Sequence, residues 1–150
     1  MYSFRKSKKG FTLIELMVVV AIIGVLALLG LRLYTGQQQK AKNAIVKANA
    51  GTIQTLLQAE MADRGTDWTT AALAVADIGT AGMRNPYNGQ TDIGNVVDDT
   101  TTTISAGTAI SGAVPGCVYV EKDGSVDFKY YVQGVDQDGA LVGDLMIAQK

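Results

Sequence analysis

The sequence predicts an α+β fold in which a long N-terminal helix packs on a small C-terminal antiparallel β-sheet. Three observations predict this fold. An apolar run from Leu16 to Leu31 continues into an amphipathic segment that reaches Asp63. Residues 65–116 are rich in Gly, Thr, Asp and Asn, a composition typical of a long connection. From Cys117 onward, short apolar strand-like runs are separated by turn signals, and residues 126–132 alternate with a period of two, as in a strand with one buried face.

The first part of the predicted helix has the length of a membrane span. Phe11 to Leu31 covers about 21 residues, roughly 31 Å as a helix, which is enough to cross a hydrocarbon core. One carboxylate, Glu15, lies inside this apolar stretch. A carboxylate at such depth is costly, so it usually has a partner. Basic residues dominate positions 5–9 and Gly10 follows them, an order that indicates cleavage before the hydrophobic segment.

Two simpler interpretations of this segment are open. In an ordinary secretory signal, Val25-Leu26-Ala27 would be the small-residue cleavage site. The position of Glu15, the continuation of the apolar run to Leu31 and the lack of a polar region before that cut oppose this interpretation. A plain single-span anchor explains the hydrophobicity but assigns no role to Glu15.

Residues 10–27, GFTLIELMVVVAIIGVLA, closely resemble the N-terminal segment of the bacterial type IV pilin family. The resemblance extends over residues 5–60, approximately, and says little about the C-terminal half. It implies the pilin fold, cleavage after Gly10 by a membrane prepilin peptidase with loss of residues 1–10 as a leader, and methylation of the new amino terminus at Phe11. It also implies that the mature chain leaves the membrane and stacks into a filament.

Cleavage after Gly10 would give Glu15 a specific electrostatic role. The new α-amino group of Phe11 would be charged near neutral pH, because such groups titrate at about 7.7–8.0. In a packed apolar core that ammonium needs an anion, and Glu15 lies one helical turn away. Glu15 can pair with the amine of its own chain or, as the family resemblance implies, with that of a neighbouring subunit. The pair would set register during assembly.

The helix is predicted to run on to Asp63, with Gly65 as its stop signal. Residues 11–34, hereafter the apolar segment, would form its transmembrane and filament-core part, and residues 35–63 its amphipathic part. Uncharged residues of the second part are predicted to form the face that packs on the head: Ile45, Ala48, Thr52, Ile53, Leu56 and Ala59. Polar residues would lie opposite: Lys40, Lys47, Gln54 and Gln58.

The globular head is predicted to comprise residues 64–150, with a loop region 65–116 and a β-sheet 117–148. In the loop region we expect a helical turn at Ala71–Ala76, a turn at 85–89 and a short strand at Thr100–Ile104. The tail predicts a hairpin of strands 118–121 and 126–132, with Val126, Phe128, Tyr130 and Val132 on one face, and a third strand at 140–147.

Catalytic, cofactor and metal sites are not predicted. The chain has no histidine and one cysteine, Cys117, so imidazole catalysis and an intramolecular disulfide are excluded. Cys117 is expected to be a small buried core residue. Asp136-Gln137-Asp138-Gly139 contains part of a calcium-loop spacing, but calcium loops need more oxygen ligands, so a plain turn is favoured. The aromatic residues of the tail are interpreted as sheet packing. We therefore expect no enzyme activity.

Charge is distributed unevenly along the chain. Residues 32–59 contain Arg32, Lys40, Lys42 and Lys47 and no acid, whereas thirteen acidic and five basic residues follow from Glu60 onward. Two interpretations are open: a solvated acidic head, or attraction between basic helices and acidic heads of different subunits.

Together these features predict the structural subunit of an extracellular type IV pilus, with the inner membrane holding the precursor. The partners would be other copies of the chain, prepilin peptidase and the pilus assembly platform, with no specific nucleic acid. The alternative is a pseudopilin of a type II secretion or DNA-uptake machine. A weaker alternative is an adhesion or DNA-binding minor pilin, which the acidic head opposes because phosphate binding needs basic residues.

Overall fold

The computed structural model describes residues 10–65, 67–79, 82–91, 94–96, 104, 110 and 112–150. The chain forms two compact units, residues 1–38 and 39–150. Helix α1 extends from Leu13 to Arg64. In the first unit, residues 10–12 have no regular secondary structure and those from Leu13 onward are helical. An 18-residue window of α1 has a mean hydropathy of 2.8 and contains no buried residue, so α1 is long and apolar enough to cross a membrane.

The second unit contains the rest of α1, a short helix and a four-stranded sheet. Helix α2 spans Ala71–Ile78, and the strands are β1 Gly94–Val96, β2 Val118–Lys122, β3 Lys129–Val135 and β4 Leu141–Gln149. The strand order is β1-β2-β3-β4. Strands β2, β3 and β4 are antiparallel neighbours, which confirms the predicted α+β fold with a small C-terminal antiparallel sheet.

Strand β1 lies in the loop region 65–116, where the sequence analysis predicted a short strand at 100–104 instead of at 94–96. It pairs in parallel with β2, in the register Gly94↔Val118 to Val96↔Val120. A parallel pair needs a long connection, and the number of residues between Val96 and Val118 is sufficient for one. A three-residue strand is too short for period-two alternation to reveal it. Residues 100–103 of the expected strand lie outside the described residues.

Helix α1 ends as the sequence predicts. Gly65 follows Arg64 with a φ of 64°, and its N–H donates to the Met61 carbonyl at 3.2 Å. A residue with positive φ at this point is the usual helix C-terminus, and glycine adopts it without steric cost. The predicted turn at 71–76 is the N-terminal part of α2, which Thr70 caps by accepting from the Leu73 N–H. The turn at 85–89 is also present.

The face of α1 that packs on the head differs from the predicted one. The buried residues of α1, hereafter the head-facing stripe, are Val46, Asn49, Ala50, Ile53, Leu57 and Met61. Ile53 alone belongs to both sets, and Ile45 is 47% exposed. Apolar residues occur on several sides of this part of α1, so periodicity alone does not select the buried side. The tertiary contacts select it, because Leu57 and Met61 pack in one buried cluster with residues of the sheet.

The core lies between the head-facing stripe, α2 and one face of the sheet. Leu57 and Met61 of α1 pack with Trp68, and the sheet contributes Tyr130 and Val132 to the same cluster. Full burial of a leucine or methionine side chain contributes about 1.5–3 kcal/mol. A second, smaller cluster covers the other face of the sheet and contains Ile104, Ile110, Cys117, Tyr119 and Val135. The expected burial of Cys117 is confirmed, since it is 2% exposed.

The β2–β3 hairpin is present, but its turn is longer than predicted. Strand β3 begins at Lys129, and residues 123–128 form the connection. Tyr130 and Val132 are fully buried together, as expected, whereas Val126 is 39% exposed. Phe128 has a φ of 56°, which is outside the extended range. The strand therefore begins after Phe128, at Lys129, and not at Val126. Asp67 accepts a hydrogen bond from the Phe128 N–H at 3.3 Å, which stabilises this conformation.

A polar cluster fastens the segment after α1 to the sheet. Lys122 Nζ lies 2.9 Å from Asp67 Oδ2, and the Tyr130 hydroxyl donates to Asp67 Oδ1 at 2.9 Å. The same hydroxyl accepts from the Trp68 N–H at 3.0 Å. Burial raises the pKa of Asp67, but the hydrogen bonds from Lys122, Tyr130 and the Phe128 N–H outweigh it, so that the pKa lies below its ordinary value.

This cluster predicts a loss of stability in acid. Because the pKa of Asp67 is lowered in the folded state, its stabilising effect is fully present above the unfolded value of about 3.9. The effect is lost as pH falls through the folded-state pKa. Chemical unfolding of the full chain in detergent should show a decreasing free energy of unfolding below about pH 4. Asp67→Asn should be less stable at pH 7 and show a shallower decrease.

Tyr130→Phe tests the contribution of the hydroxyl to stability, because it keeps the aromatic ring. It removes one donor to Asp67 and the acceptor of the Trp68 N–H, so we expect a loss of about 1–3 kcal/mol at pH 7. If the free energy of unfolding depended on pH equally in the wild type and in Asp67→Asn, the assignment of the acid sensitivity to Asp67 would be contradicted.

Candidate functional site

The start of α1 is stabilised by a reciprocal cap between Thr12 and Glu15. The Thr12 N–H and hydroxyl both donate to Glu15 Oε2 at 2.8 Å, and the Glu15 N–H donates to Thr12 Oγ1 at 3.3 Å. This is a capping box, in which two residues three apart satisfy helix N–H groups that have no partner within the helix. The cap holds the Glu15 carboxylate at the N-terminal end of α1.

The same geometry leaves part of Glu15 available for a partner. Both bonds to the carboxylate reach Oε2, so Oε1 is free of the cap, and the side chain is exposed. A carboxylate at a helix N-terminus also interacts favourably with the helix dipole. The arrangement therefore presents a pre-oriented anion that can accept hydrogen bonds from an ammonium group.

Gly10 and Phe11 lie directly before the cap and outside α1. Gly10 is exposed, and a Cβ placed on it would meet no atom within 4 Å. Phe11 is 88% exposed. The peptide bond between them is therefore outside the helix and accessible, as a protease substrate must be. The cap at Thr12 begins immediately after this bond.

The apolar segment exposes its side chains along its whole described length. Among the described residues, most of the exposed large hydrophobic side chains lie between Phe11 and Tyr34, for example Leu28 at 70%. Soluble monomeric proteins rarely expose a contiguous apolar surface of this kind. Its burial would contribute about 25 cal/mol for each Å² removed from water, so lipid or a protein partner must cover it.

Thr12 is the site residue that the sequence analysis did not single out. Its signal is the spacing Thr12-x-x-Glu15 directly before an apolar run, which is the capping-box pattern. The sequence predicts only an amine as the partner of Glu15, whereas the structure shows a hydrogen bond to Thr12, three residues earlier.

The Asp136–Gly139 segment forms the turn between β3 and β4. Asp136 Oδ1 accepts from the N–H groups of Asp138 (2.8 Å) and Ala140 (2.9 Å). The carboxylate is thus engaged in its own turn, in agreement with the expected plain turn. Among the residues that the structure describes, no group of three His, Cys, Asp or Glu side chains could hold a metal ion.

The ion pairs of the described residues all lie within the head and the end of α1. They join Arg64 to Glu60 and Asp77, Lys122 to Asp67, and Lys129 to Asp123. The Ser125 N–H, the Lys129 ammonium and the Tyr131 hydroxyl hold the pKa of Asp123 well below its ordinary value. Lys42 instead lies over the Tyr87 ring, 4.9 Å from its centroid. Attraction between subunits therefore stays open as an interpretation of the basic residues 32–47.

Comparison with known proteins identifies a sequence motif in the N-terminal segment. Residues 5–31 match the prokaryotic N-terminal methylation motif, and the match includes Gly10, Phe11 and Glu15. The chain is similar to fimbrial protein EcpB of Eikenella corrodens, with 45% identity over 58 residues that cover 39% of this chain and 36% of EcpB. It is also similar to type IV major fimbrial proteins FimA of Dichelobacter nodosus.

Two FimA proteins illustrate the extent of this similarity. One is 39% identical over 75 residues, which cover 46% of this chain and 48% of FimA. Another is 36% identical over 84 residues, which cover 52% and 53%. The chain thus aligns with about a third to a half of the length of these relatives. No solved structure matches it significantly.

The chain thus carries the prokaryotic N-terminal methylation motif at the start of its apolar helix. Together with the motif, the similarity to FimA and EcpB and the α+β fold support a type IV pilin.

Proposed function

We propose that the protein is the structural subunit of a type IV pilus filament at the cell surface, made as a membrane-anchored precursor. The observation that carries the proposal is the exposed apolar segment, which begins at a capped carboxylate. A single helix of this length and hydropathy fits a membrane before assembly. In a filament, the same surface would be buried against other copies of the chain.

The proposed sequence of events starts with cleavage of the Gly10–Phe11 bond by prepilin peptidase, followed by N-methylation of Phe11. The methylated amine stays basic and carries a positive charge. As the chain leaves the membrane, that charge loses its solvation near the headgroups and needs an anion. Glu15, held by Thr12 with Oε1 available, supplies it within the filament.

Polymerisation would be driven by burial of the apolar segments in a helical array without closing symmetry. The ammonium–carboxylate pair would then select the correct register, because a misaligned subunit leaves both charges buried and unpaired. The assembly platform of the inner membrane is the proposed partner in extraction. This role is structural and involves no catalytic residue.

A pseudopilin is the second candidate, since it would share the same N-terminal segment. The similar proteins EcpB and FimA are fimbrial proteins, which favours the pilus. Electron microscopy of filaments sheared from cells, with mass spectrometry of their main component, tests the proposal. Filaments built mainly from this chain would support it, and their absence from cells that produce the mature chain would contradict it.

The proposed cleavage predicts the N-terminus of the mature subunit. We expect the filament subunit to begin at Phe11 and to carry one additional methyl group, as intact-mass analysis would show. Gly10→Val should prevent cleavage, because the bond would follow a branched side chain, whereas Gly24→Ala within α1 should be cleaved normally. A subunit that retains residues 1–10, or one that begins after Ala27, would refute this processing scheme.

A further inference from the structure

The turn formed by residues 85–90, hereafter the 85–90 turn, contains the pair Asn88-Gly89, which the proposed function does not use. Asn88 is the only asparagine of the sequence that glycine follows. Both residues are exposed, and a Cβ placed on Gly89 would meet no atom within 4 Å. Water therefore reaches the side-chain amide of Asn88 and the peptide nitrogen that follows it.

Backbone hydrogen bonds hold the 85–90 turn in one conformation. The Asn85 N–H donates to the Gln90 carbonyl at 2.7 Å, and the Gly89 N–H donates to the Asn85 carbonyl at 2.9 Å. Asn85 is anchored in the head, since it is 1% exposed and its Nδ2 donates to the Pro115 carbonyl at 2.7 Å. The backbone around the Asn88-Gly89 pair is therefore fixed relative to the core.

Gln90 also orients the side-chain amide of Asn88. The Gln90 N–H donates to Asn88 Oδ1 at 2.9 Å, and Asn88 Nδ2 donates to Gln90 Oε1 at 3.2 Å. A donor on Oδ1 stabilises the negative charge that develops on this oxygen when a nucleophile adds to Cγ. The backbone nitrogen of Gly89 is such a nucleophile, and the covalent chain holds it close to Cγ. Glycine has no side chain that would hinder its approach.

We propose that Asn88 is a site of spontaneous deamidation in the folded head, with water as the co-reactant. Hydroxide removes the proton of the Gly89 N–H, and the nitrogen then forms a bond to Asn88 Cγ. The Cγ–Nδ2 bond breaks, and Nδ2 takes a proton from water and leaves as ammonia. The resulting cyclic imide, a succinimide, takes up water at either of its carbonyl carbons. Opening at Cγ gives aspartate, and opening at the backbone carbonyl carbon gives isoaspartate.

The hydrogen bond from Gly89 to Asn85 opposes the first step and sets the expected rate. The Gly89 N–H loses its proton only while this bond is open, and an exposed turn opens locally. One backbone hydrogen bond slows such a step by about tenfold. The folded chain is therefore expected to deamidate at Asn88 at no less than about a tenth of the rate of the unfolded chain.

Deamidation changes the charge and the backbone of the head at one exposed point. Both products replace a neutral amide with a carboxylate. Isoaspartate also lengthens the main chain before Gly89, so that its N–H no longer faces the Asn85 carbonyl. The preceding residue, Tyr87, donates from its hydroxyl to Asn43 Oδ1 of α1 at 2.6 Å. The reaction therefore loosens a turn that is fastened to α1, and its product accumulates with the age of the subunit because ammonia is lost.

Incubation of the full chain in detergent at slightly alkaline pH, followed by peptide mapping with mass spectrometry, tests the proposal. We expect the mass increase that replacement of –NH2 by –OH produces, located at Asn88, and a rate that rises with hydroxide concentration. Protein isoaspartate methyltransferase should label the same peptide. Asn43 and Asn49 are internal controls, because alanine follows both within α1 and their masses should not change. A parallel sample in denaturant gives the rate of the unfolded chain.

Two variants identify the attacking nitrogen and the ring. Gly89→Ala places a methyl group beside the nucleophile and should slow deamidation at least about tenfold, because ring closure depends on the placement of the nitrogen. Asn88→Gln keeps an exposed amide but would require a larger ring, so its mass should not change. Asn88→Gln also serves as the comparison if Gly89→Ala does not fold.

Three results would overturn the proposal. The first is an unchanged mass at Asn88 in the folded chain while the unfolded chain reacts. The second is aspartate without isoaspartate, which would indicate direct hydrolysis instead of ring closure. The third is an equal rate in the wild type and in Asn88→Gln. None of these results bears on filament formation, since the inference does not depend on the proposed function.

Discussion

Glu15→Gln is expected to leave membrane insertion of the precursor intact and to reduce filament yield at least about a hundredfold. The amide keeps the shape of the side chain, and its oxygen can still accept from the Thr12 N–H, so the cap at the start of α1 should persist. Only the negative charge is lost. Insertion should not suffer, because a neutral side chain makes the segment more apolar. Filament counts by electron microscopy, with immunoblots of membrane-bound subunit, provide the measurement.

Two further variants separate charge from capping. Glu15→Ala should also insert and fail to assemble, since it removes charge and cap together. Thr12→Ala keeps the charge but removes the Thr12 hydroxyl, which should weaken the helix end by about 1 kcal/mol and leave assembly largely intact. If Glu15→Gln cells made filaments of normal number and length, Glu15 would act through shape or hydrogen bonding instead of charge.

Gly116→Ala is expected to destabilise the head by about 2–5 kcal/mol. Gly116 has a φ of 78°, which an L-residue with a side chain adopts only with strain. A Cβ at this position would also meet Asn85 Oδ1 and would lie 2.6 Å from Tyr87 Cδ2. Asn85 cannot yield easily, because it is 1% exposed and its Nδ2 donates to the Pro115 carbonyl at 2.7 Å. Chemical unfolding of the full chain in detergent would measure the loss.

Gly89→Ala is the matched control for this prediction. Gly89 has a similar φ of 74°, but a Cβ there would meet no atom within 4 Å. It should therefore show only the cost of the backbone conformation, about 1–2 kcal/mol. Equal destabilisation by the two variants would mean that Asn85 and Tyr87 do not constrain Gly116. Both variants should keep membrane insertion, because the apolar segment is unchanged.

Features determined by neighbouring residues along the chain were predictable from the sequence. The end of α1 before Gly65 is one example, since a glycine that can adopt positive φ after an amphipathic stretch is a local signal. The length and hydropathy of the apolar segment are others. The strands β2 and β4 were also identifiable, because each contains a short apolar run next to a turn signal.

Features that depend on distant contacts were not predictable in the same way. The start of β3 moves to Lys129 because Asp67, sixty-one residues earlier, bonds to the Phe128 N–H and favours its positive φ. Strand β1 pairs in parallel with β2. Its three residues are too few to show a periodic pattern that would predict this pairing. The Asp67–Lys122–Tyr130 cluster likewise joins three segments that sequence spacing does not relate.

The part of α1 between Ala41 and Met61 shows both kinds of feature. The sequence by itself determined that this stretch is a helix with uncharged residues on more than one side, since both properties follow from local composition and period. Only the tertiary structure decided that Val46, Leu57 and Met61 face the sheet and that Ile45 and Ala48 remain exposed. The physical reason is that burial requires a complementary surface, and the shape of the sheet that provides it results from pairings among residues more than fifty positions away.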